Sequence, residues 1–256
     1  MNLLEHNRIA WNNEVRKRNQ WTIPISEEQI QKAKKGLIKI VLTPFKAVPE
    51  NWIGDVVNKS VLCLASGGGQ QGPILAAAGA YVTVFDNSDK QLEQDEKVAL
   101  KYNLNIKTIK GNMQDLSIFS ANHFDLIIHP VSNCFIDDIK PVWSEAYRVL
   151  KKNGKLLSGF NNPIIFMINW EKAEKTKKCI IENAIPYSDL KSLSDTKKKE
   201  YLENMIPFEF GHSLTDQING QIEAGFVISG FYEDKGEELL DEFTDAFIAT
   251  KAEKVY

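Results

Sequence analysis

The segment from Ser66 to Gly72 has the residue types and spacing best suited to binding a ligand. Gly67, Gly69 and Gly72 satisfy the GxGxxG spacing between an apolar run and a predicted helix. Backbone N–H groups at such a helix start face an incoming ligand, and glycines let it approach closely. Asp86 ends the next apolar run, where it can accept hydrogen bonds from both hydroxyls of a ribose. An adenosine-containing ligand is favoured over a structural turn beside a surface carboxylate.

Alternating apolar runs and helical patterns must position this segment. Ser88 and Gln91 predict a capping-box start for a helix through about Tyr102. Pro73 and Gly79 bracket a predicted short helix at 74–78. Strands are predicted at 61–65, 81–85, 106–109, 124–128, 155–160, 226–232 and 247–251. The last two are joined too closely for a crossover, which predicts an antiparallel edge on an otherwise parallel α/β sheet with helices on both faces.

The chain divides into four segments within one predicted domain, 1–256. Residues 1–50 are predicted to form an N-terminal helical cap, and residues 51–160 the ligand-binding core. Residues 161–212 form a lysine-rich helical insertion, and residues 213–256 a C-terminal helix with an antiparallel strand pair. The insertion lysines are expected to form a solvated helix face rather than a surface for an acidic partner.

Composition narrows the possible partners. The chain has 256 residues, a formal net charge of -3 and a pI near 5.9. It therefore lacks the positive charge that nucleic-acid binding needs, and a small-molecule substrate is expected. Cys63, Cys134 and Cys179 have no metal-ligand or disulfide spacing, and no apolar run is long enough to span a membrane. With no secretory signal at the start, a cytoplasmic protein without a metal or a membrane partner is predicted.

Five motifs in order resemble the class I S-adenosylmethionine-dependent methyltransferases. They are residues 64–72, 84–86, 111–113 and 124–130, and 148–150 followed by Asn153-Gly154. Within that superfamily, the chain is similar to the methyltransferase domain type 11 proteins around the ubiquinone/menaquinone C-methyltransferases. It is closer still to a bacterial group of unknown substrate that shares the run Leu-Ala-Ser-Gly-Gly-Gly-Gln-Gln-Gly. The resemblance implies a Rossmann-like fold with a seven-stranded sheet and S-adenosyl-L-methionine as cofactor.

The resemblance also implies roles for particular residues. Gly67 and Gly69 would lie against the methionyl part of the cofactor, and Asp86 would hold the ribose. Asn112 would contact the adenine through its side chain and Met113 through its backbone N–H, while the His129 carbonyl would meet the amino group. The full implied set of cofactor-binding residues is Ala65, Ser66, Gly67, Gly69, Gln71, Asp86, Asn87, Asn112, Met113 and His129.

The sequence departs from the family pattern at three positions. Cys63 stands where the family often has an acid, Ala65 replaces the usual first glycine, and Asn112 stands where many members have Asp. The first two affect the placement of the amino-acid end of the cofactor. The third weakens the adenine contact.

Candidates for the chemistry at the acceptor are His129, Asn133 and Trp11. His129 has a side chain whose ordinary pKa suits a general base, although a purely backbone role is an equal alternative. Trp11 lies in the run 7–12, which resembles the lid of the same bacterial group. In-line methyl transfer to an unidentified small molecule is the predicted reaction, and a base is needed only if the acceptor holds a proton.

Two other functions stay open from the sequence. Ser132, Tyr147 and Lys151 reproduce the Ser…Tyr-x-x-x-Lys order of short-chain, NAD(P)-dependent oxidoreductases, although Tyr147 falls in the apolar stripe of a helix. A non-catalytic protein that binds S-adenosylmethionine or S-adenosylhomocysteine is the other alternative. A nucleic-acid acceptor is disfavoured because the run 129–131 replaces the Asn/Asp-Pro-Pro-aromatic motif used on flipped bases.

Overall fold

The computed structural model describes residues 2–236 and 239–256 and is built around a seven-stranded sheet. In chain order the strands are β1 (Ser60–Leu64), β2 (Tyr81–Asp86), β3 (Ile106–Lys110), β4 (Phe124–His129), β5 (Leu150–Asn161), β6 (Tyr187–Ser188), β7 (Phe210–Gly211), β8 (Val227–Asp234) and β9 (Phe247–Glu253). The sheet order is β3-β2-β1-β4-β5-β9-β8, and β6 pairs with β7 in a separate ribbon. This confirms the predicted Rossmann-like α/β class.

Strands β1 to β5 are parallel, and β9 is antiparallel to both of its neighbours. The predicted antiparallel last strand, and the antiparallel edge that it forms with the strand before it, are therefore confirmed, with β9 inside and β8 outermost. Ile248, Ala249 and Thr250 are buried one after another, as a strand with two neighbours and two covered faces requires. In β8, by contrast, Val227 and Phe231 are exposed, and this strand forms the edge.

The two faces of β1 feed two different hydrophobic cores. Val61 and Cys63 pack into one cluster with Leu42 and Trp52. Leu62 and Leu64 pack into the other, which contains Trp143. Because side chains alternate along a strand, an entirely apolar run is what a strand covered on both faces needs.

Helices cover both faces. They are α1 (Leu3–Lys17), α2 (Glu27–Lys34), α3 (Glu50–Ile53), α4 (Gln71–Ala77), α5 (Asp89–Tyr102), α6 (Lys140–Val149), α7 (Ile164–Met167), α8 (Trp170–Thr176), α9 (Asp189–Ser192), α10 (Asp195–Asn204) and α11 (Gly220–Glu223). Short 3-10 turns lie at Gln20–Thr22, Asn133–Phe135 and Leu239–Glu242, and a π-helical turn at Thr215–Asn219 leads into α11.

Three local expectations needed correction. Helix α4 begins at Gln71 rather than 74, because Pro73 still lies in the first turn, where a missing N–H costs nothing. Ser88 caps α5 as expected, accepting a hydrogen bond from Gln91 N at 3.2 Å, but the Gln91 side chain does not return to the cap. Strand β5 starts at Leu150 instead of 155, with Asn153 in the left-handed region at φ 64°.

The N-terminal segment and the insertion both contribute to the lining of one cavity. Helix α1 lies on α5, while α2 lies on α4 and buries Ile30 and Ala33 completely. The insertion contains α7 to α10 and the β6–β7 ribbon. Its lysines pair with neighbouring acids, for example Lys175 with Glu171 at 2.9 Å, so the helix face carries little free positive charge.

The described residues contain neither a membrane-spanning helix nor a metal-binding cluster. No helix within them is long and apolar enough to cross a bilayer. No cluster of three or more His, Cys, Asp or Glu side chains with metal-binding geometry occurs in the same ranges.

Asn7 joins the cap helix to the insertion. Its side-chain N–H group donates to the carbonyls of Phe135 at 2.9 Å and Phe208 at 3.0 Å, and its oxygen accepts from Phe208 N at 2.9 Å. Asn7 is buried, so each bond replaces one to water that is no longer accessible. The amide thus fixes α1 against two segments distant in sequence.

Replacing Asn7 by Ala is expected to loosen α1 without unfolding the sheet. Loss of a buried hydrogen-bonded group costs about 1–3 kcal/mol, so the α1 amides should exchange at least ~5-fold faster with deuterium. Asn13→Ala is the matched control, because this residue lies on the same helix and its side chain has no hydrogen bond within the described residues. Equal exchange rates in the two variants would contradict the anchoring role of Asn7.

Candidate active site

A cavity of about 300 Å³ opens at the carboxyl ends of β1, β2 and β4 and is roofed by α1. Most of the residues predicted to hold the cofactor line it, namely Ala65, Ser66, Gly67, Gln71, Asp86, Asn87, Asn112 and Met113, and so does Trp11. Ligands of open α/β sheets bind at this end, where strand order reverses between β1 and β4. The residues predicted at the ends of β1 and β2 and after β3 therefore lie around one cavity.

The glycine segment turns sharply above β1. Ala65, Gly68 and Gly69 have φ values of 45°, 113° and 75°, in the left-handed region that favours glycine. At Gly67 the constraint is space instead, because a Cβ there would lie 2.6 Å from Gln91 Cβ. Ala65 adopts this conformation despite its side chain, at the position where the resembled family carries glycine.

Asp86 joins the glycine segment to the start of α5. Its Oδ2 accepts from Gly67 N at 2.9 Å and its Oδ1 from Ser88 N at 2.8 Å. Burial raises the pKa of Asp86, against the opposing effect of these N–H donors. Each carboxylate oxygen retains acceptor capacity, and the residue lines the cavity. The geometry thus leaves Asp86 able to accept hydrogen bonds from a ribose.

Asp95 of α5 also binds the glycine segment. Its Oδ2 accepts from Gly68 N at 3.0 Å, and the residue is fully buried. Burial raises its pKa to about 8, and the nearby Asp86 carboxylate adds to the rise, against N–H donors from Gly69 and Gly68. The turn therefore rests on two neighbouring carboxyl groups.

Two buried polar atoms in the cavity wall have no hydrogen-bond partner among the described residues. They are Ser66 Oγ and Gln91 Oε1, which flank Gly67. Buried polar atoms are normally satisfied, so such a pair at a cavity points to a polar ligand. Together with Asp86 they supply acceptors and a hydroxyl donor, which fits the amino-acid and ribose ends of S-adenosylmethionine.

Three residues predicted for the site do not line the cavity. His129 is fully buried, with Nδ1 donating to the Leu64 carbonyl at 2.9 Å and Nε2 lying 2.8 Å from the Asn133 side chain. Burial lowers the pKa of His129. Asn133 in turn donates to Gln217 at 2.9 Å. Both side chains hold β4 to neighbouring elements, and neither reaches the cavity as a base would need to.

Gly69 also lies outside the cavity lining. A Cβ at Gly69 would lie 3.1 Å from Pro24 Cβ, so the residue packs against the N-terminal segment. This position requires glycine because of that close contact and because its φ is positive. The GxGxxG pattern predicts the turn. It does not predict which of the three glycines line the cavity.

The alternative oxidoreductase residues are not brought together. Ser132 lines the cavity and donates to the Pro130 carbonyl at 3.0 Å. Tyr147 donates to the Tyr256 carbonyl at 3.3 Å, outside the cavity lining, and Lys151 pairs with Asp125 at 2.8 Å. The Tyr-x-x-x-Lys spacing therefore belongs to a helix end and the strand after it, not to a catalytic group.

Sequence reasoning missed Glu209, which lines the cavity from the insertion. Burial and the nearby Asp189 carboxylate raise the pKa of Glu209 to about 7. The available signal was an acid between two aromatic residues, Phe208 and Phe210, inside a polar segment. That signal alone does not identify which way the side chain faces.

The cap is fastened along the cavity rim by polar contacts. Arg8 forms an ion pair with Asp89, and Asn12 Oδ1 accepts from Ser88 Oγ at 2.8 Å and from Lys90 N at 3.0 Å. The residues Asn12 and Ser88 thus couple the lid to the same helix start that Asp86 organises. Helix α1, which covers the cavity, is therefore attached at the carboxyl ends of the strands that line it.

Comparison with known proteins agrees with this geometry. Residues 62–158 match a family model described as "Methyltransferase domain". A Bacillus subtilis (strain 168) protein named "Uncharacterized methyltransferase YbaJ" is 51% identical over 253 residues, covering 99% of this chain and 99% of the relative. The chain therefore belongs to the class I S-adenosylmethionine-dependent methyltransferases, and its cofactor is S-adenosyl-L-methionine.

Solved structures share the fold at low sequence identity. An S-adenosylmethionine-dependent methyltransferase from Mesorhizobium loti has a TM-score of 0.62 and 16% identity, covering 79% of this chain and 94% of its own. The 1,6-didemethyltoxoflavin-N1-methyltransferase of Burkholderia thailandensis, solved with 1,6-didemethyltoxoflavin and S-adenosylhomocysteine bound, has a TM-score of 0.58 and 11% identity. That likeness covers 98% of this chain and 88% of the other.

Replacing Asp95 by Asn is expected to make stability less dependent on pH. The folded protein keeps the Asp95 proton up to about pH 8, whereas the unfolded chain loses it near the ordinary value of 3.8. Wild-type stability therefore falls as pH rises between these values, and the neutral amide, which can still accept from Gly68, avoids that loss. Relative to wild type, Asp95→Asn should gain at least ~1 kcal/mol of unfolding free energy between pH 6 and pH 9.

Urea unfolding at the two pH values measures this difference. Glu96→Gln is the control, because Glu96 is an exposed carboxyl on the same helix. Parallel pH dependence in wild type and Asp95→Asn would show that the buried carboxyl does not hold its proton.

Proposed function

We propose that this chain transfers the methyl group of S-adenosylmethionine to a small-molecule acceptor inside the cavity beneath α1. The observation that carries the proposal is that a single cavity combines two kinds of wall. One side has Asp86 and the unpartnered Ser66 and Gln91 atoms, and the other has the aromatic side chains of Trp11 and Phe135. The first suits the cofactor and the second an acceptor.

The cofactor side is assigned residue by residue. Asp86 would accept hydrogen bonds from the ribose hydroxyls, and Ser66 with Gln91 would bind the amino-acid end. Asn112 and Met113 line the region beyond β3, where they would contact the adenine. The Asn112 side chain contacts Gln114, so its adenine contact would use the remaining capacity of the amide. When bound, the cofactor supplies a methyl group already activated on positively charged sulfur.

Exclusion of water and placement are the main tasks left to the protein. Helix α1 roofs the cavity, and Trp11 packs edge-on against Phe135 with ring centroids 5.0 Å apart. These rings give a rigid apolar wall beside the cofactor side. A cavity of about 300 Å³ under a fastened cap suits small molecules rather than a polymer. A nucleic-acid or membrane-bound acceptor would have to displace the fastened cap.

Two features favour a small-molecule enzyme in a reducing compartment. The net charge of -3 and the paired insertion lysines oppose a nucleic-acid partner. The three cysteines are free thiols, which is typical of cytoplasmic proteins. A non-catalytic cofactor-binding protein is disfavoured because the cavity extends beyond the residues assigned to the cofactor.

Calorimetric titration with S-adenosylhomocysteine, and separately with NADH and NADPH, tests the cofactor side. Saturable binding of S-adenosylhomocysteine alone is expected. Asp86→Ala should weaken that binding by about 1–3 kcal/mol, roughly 5- to 150-fold, because the ribose hydroxyls lose a charged partner.

The matched control is Glu96→Ala, which removes an exposed carboxylate of α5 that does not line the cavity. Its affinity should equal that of the wild type. Binding of a nicotinamide nucleotide alone would overturn the proposal, and undiminished affinity in Asp86→Ala would overturn the ribose assignment.

A further inference from the structure

The Glu209 carboxylate faces the cavity without a hydrogen-bond or ion-pair partner among the described residues. Most other acids of the insertion pair with a lysine, as Glu171 does with Lys175. Carboxylates in partly buried positions are normally paired. Leaving this one free inside a binding cavity suggests that its partner is a ligand.

The backbone on either side of Glu209 is held in place. Glu209 N donates to Asp189 Oδ2 at 2.7 Å, and Asp189 N donates back to the Glu209 carbonyl at 3.0 Å. The preceding residue, Phe208, is held by Asn7 of the cap, and the following residue, Phe210, pairs with Ser188 in the β6–β7 ribbon. The Glu209 backbone therefore has a fixed position in the cavity wall, as a residue that must meet a substrate requires.

The other ionisable side chains lining the cavity cannot serve as a base on the acceptor side. Arg8 is paired with Glu5 and Asp89, and Asp86 lies at the cofactor side with two N–H donors. Burial raises the pKa of Cys134 far above its ordinary value, so this thiol stays protonated. Glu209 is the remaining titratable group of the lining among the described residues.

Several groups packed around Glu209 determine its charge. Asp189 at the start of α9 raises its pKa, as does burial. Tyr187, Tyr201 and Cys134 stay neutral near pH 7, because burial and neighbouring acids raise their pKa values, that of Tyr201 to about 12. Glu209 thus changes charge close to neutral pH, as a general base needs to.

We propose that Glu209 is the catalytic base of this enzyme and that the acceptor presents an O–H or N–H group to it from an otherwise apolar or aromatic molecule. This inference rests on the proposed function. As the acceptor heteroatom bonds to the methyl carbon, its own bond to hydrogen breaks and the proton moves to a Glu209 Oε. The electrons of the S–CH₃ bond stay on sulfur, and the proton leaves Glu209 to solvent afterwards.

An analogue with a cation at the methyl position probes this arrangement without the acceptor. Sinefungin carries a protonated amine on carbon where the cofactor carries its methylated sulfur, whereas S-adenosylhomocysteine has an uncharged thioether there. A carboxylate facing the methyl position should favour sinefungin. The ratio of the two affinities cancels the contributions of the ribose, the adenine and the amino-acid end, which both analogues share. The charges of Asp86 and Asp95 are present in every protein compared, so a difference between variants reports on position 209.

In the wild type, this preference for sinefungin should rise at least ~5-fold from pH 6 to pH 8. Glu209 is protonated below its pKa of about 7 and charged above it, so attraction to the amine grows as pH rises. In Glu209→Gln the preference should be at least ~10-fold lower at pH 8 and flat with pH, while affinity for S-adenosylhomocysteine changes less than ~3-fold.

Two further variants sharpen the test. Glu209→Asp keeps a carboxylate one methylene shorter, so its preference should be intermediate and still depend on pH. Glu203→Gln, an exposed acid of the same insertion, should match the wild type. Asp189 is present in every protein compared, so its titration does not distinguish them.

Each outcome has a separate meaning. Absence of S-adenosylhomocysteine binding to the wild type would contradict the proposed function. If S-adenosylhomocysteine binds but the wild-type preference is flat with pH, the assignment of Glu209 is wrong and the proposed function stands. The same conclusion follows if Glu209→Gln retains the wild-type preference.

Discussion

The hydrogen bonds from the glycine segment to Asp86 and Asp95 are the interactions on which the rest of the site depends. Gly67 N and Gly68 N donate to these two carboxyl groups, which lie on β2 and on α5. The turn after β1 is therefore connected to the next βα unit rather than only to its own helix. Because Asp86 also accepts from Ser88 N, the same carboxylate sets the start of α5. Loop, strand end and helix start form one unit.

This unit also determines where the lid attaches. Asn12 reaches the α5 start by accepting from Ser88 Oγ and Lys90 N, and Arg8 pairs with Asp89 one residue further. On the other side, Asn7 binds Phe208 of the insertion. These contacts of α1 connect the strand end at Asp86 with Phe208, the residue before Glu209, although the residues are far apart in sequence. A cavity that needs both segments can exclude water only when both are in place.

The parts that sequence predicted well are those governed by local backbone physics. Burial on both faces requires the apolar run of β1, and positive φ values require the glycines of the turn. An unpaired backbone N–H at the start of α5 favours Ser88 as its cap. Each of these causes leaves a local pattern in the sequence. His129 shows why the sequence does not predict the direction of a side chain at a strand end. Its strand-end position was read correctly, but a neighbouring Asn133 four residues later turned out to hold the ring inward. Side-chain direction depends on partners that the local pattern does not specify.

Glu209 illustrates the same limit on the acceptor side. Its backbone is set by Asp189 and by the cap, and its free carboxylate results from tertiary packing of a polar insertion. The sheet and the glycine turn belong to a fold shared by many methyltransferases, so their residues follow shared constraints. The proposed acceptor wall combines Trp11 of the cap, Phe135 after β4 and Glu209 of the insertion, and the pattern of the sheet strands does not determine them. Motifs therefore predict the cofactor, whereas the proposed acceptor chemistry depends on a free carboxylate and on aromatic side chains that only tertiary packing brings to one cavity.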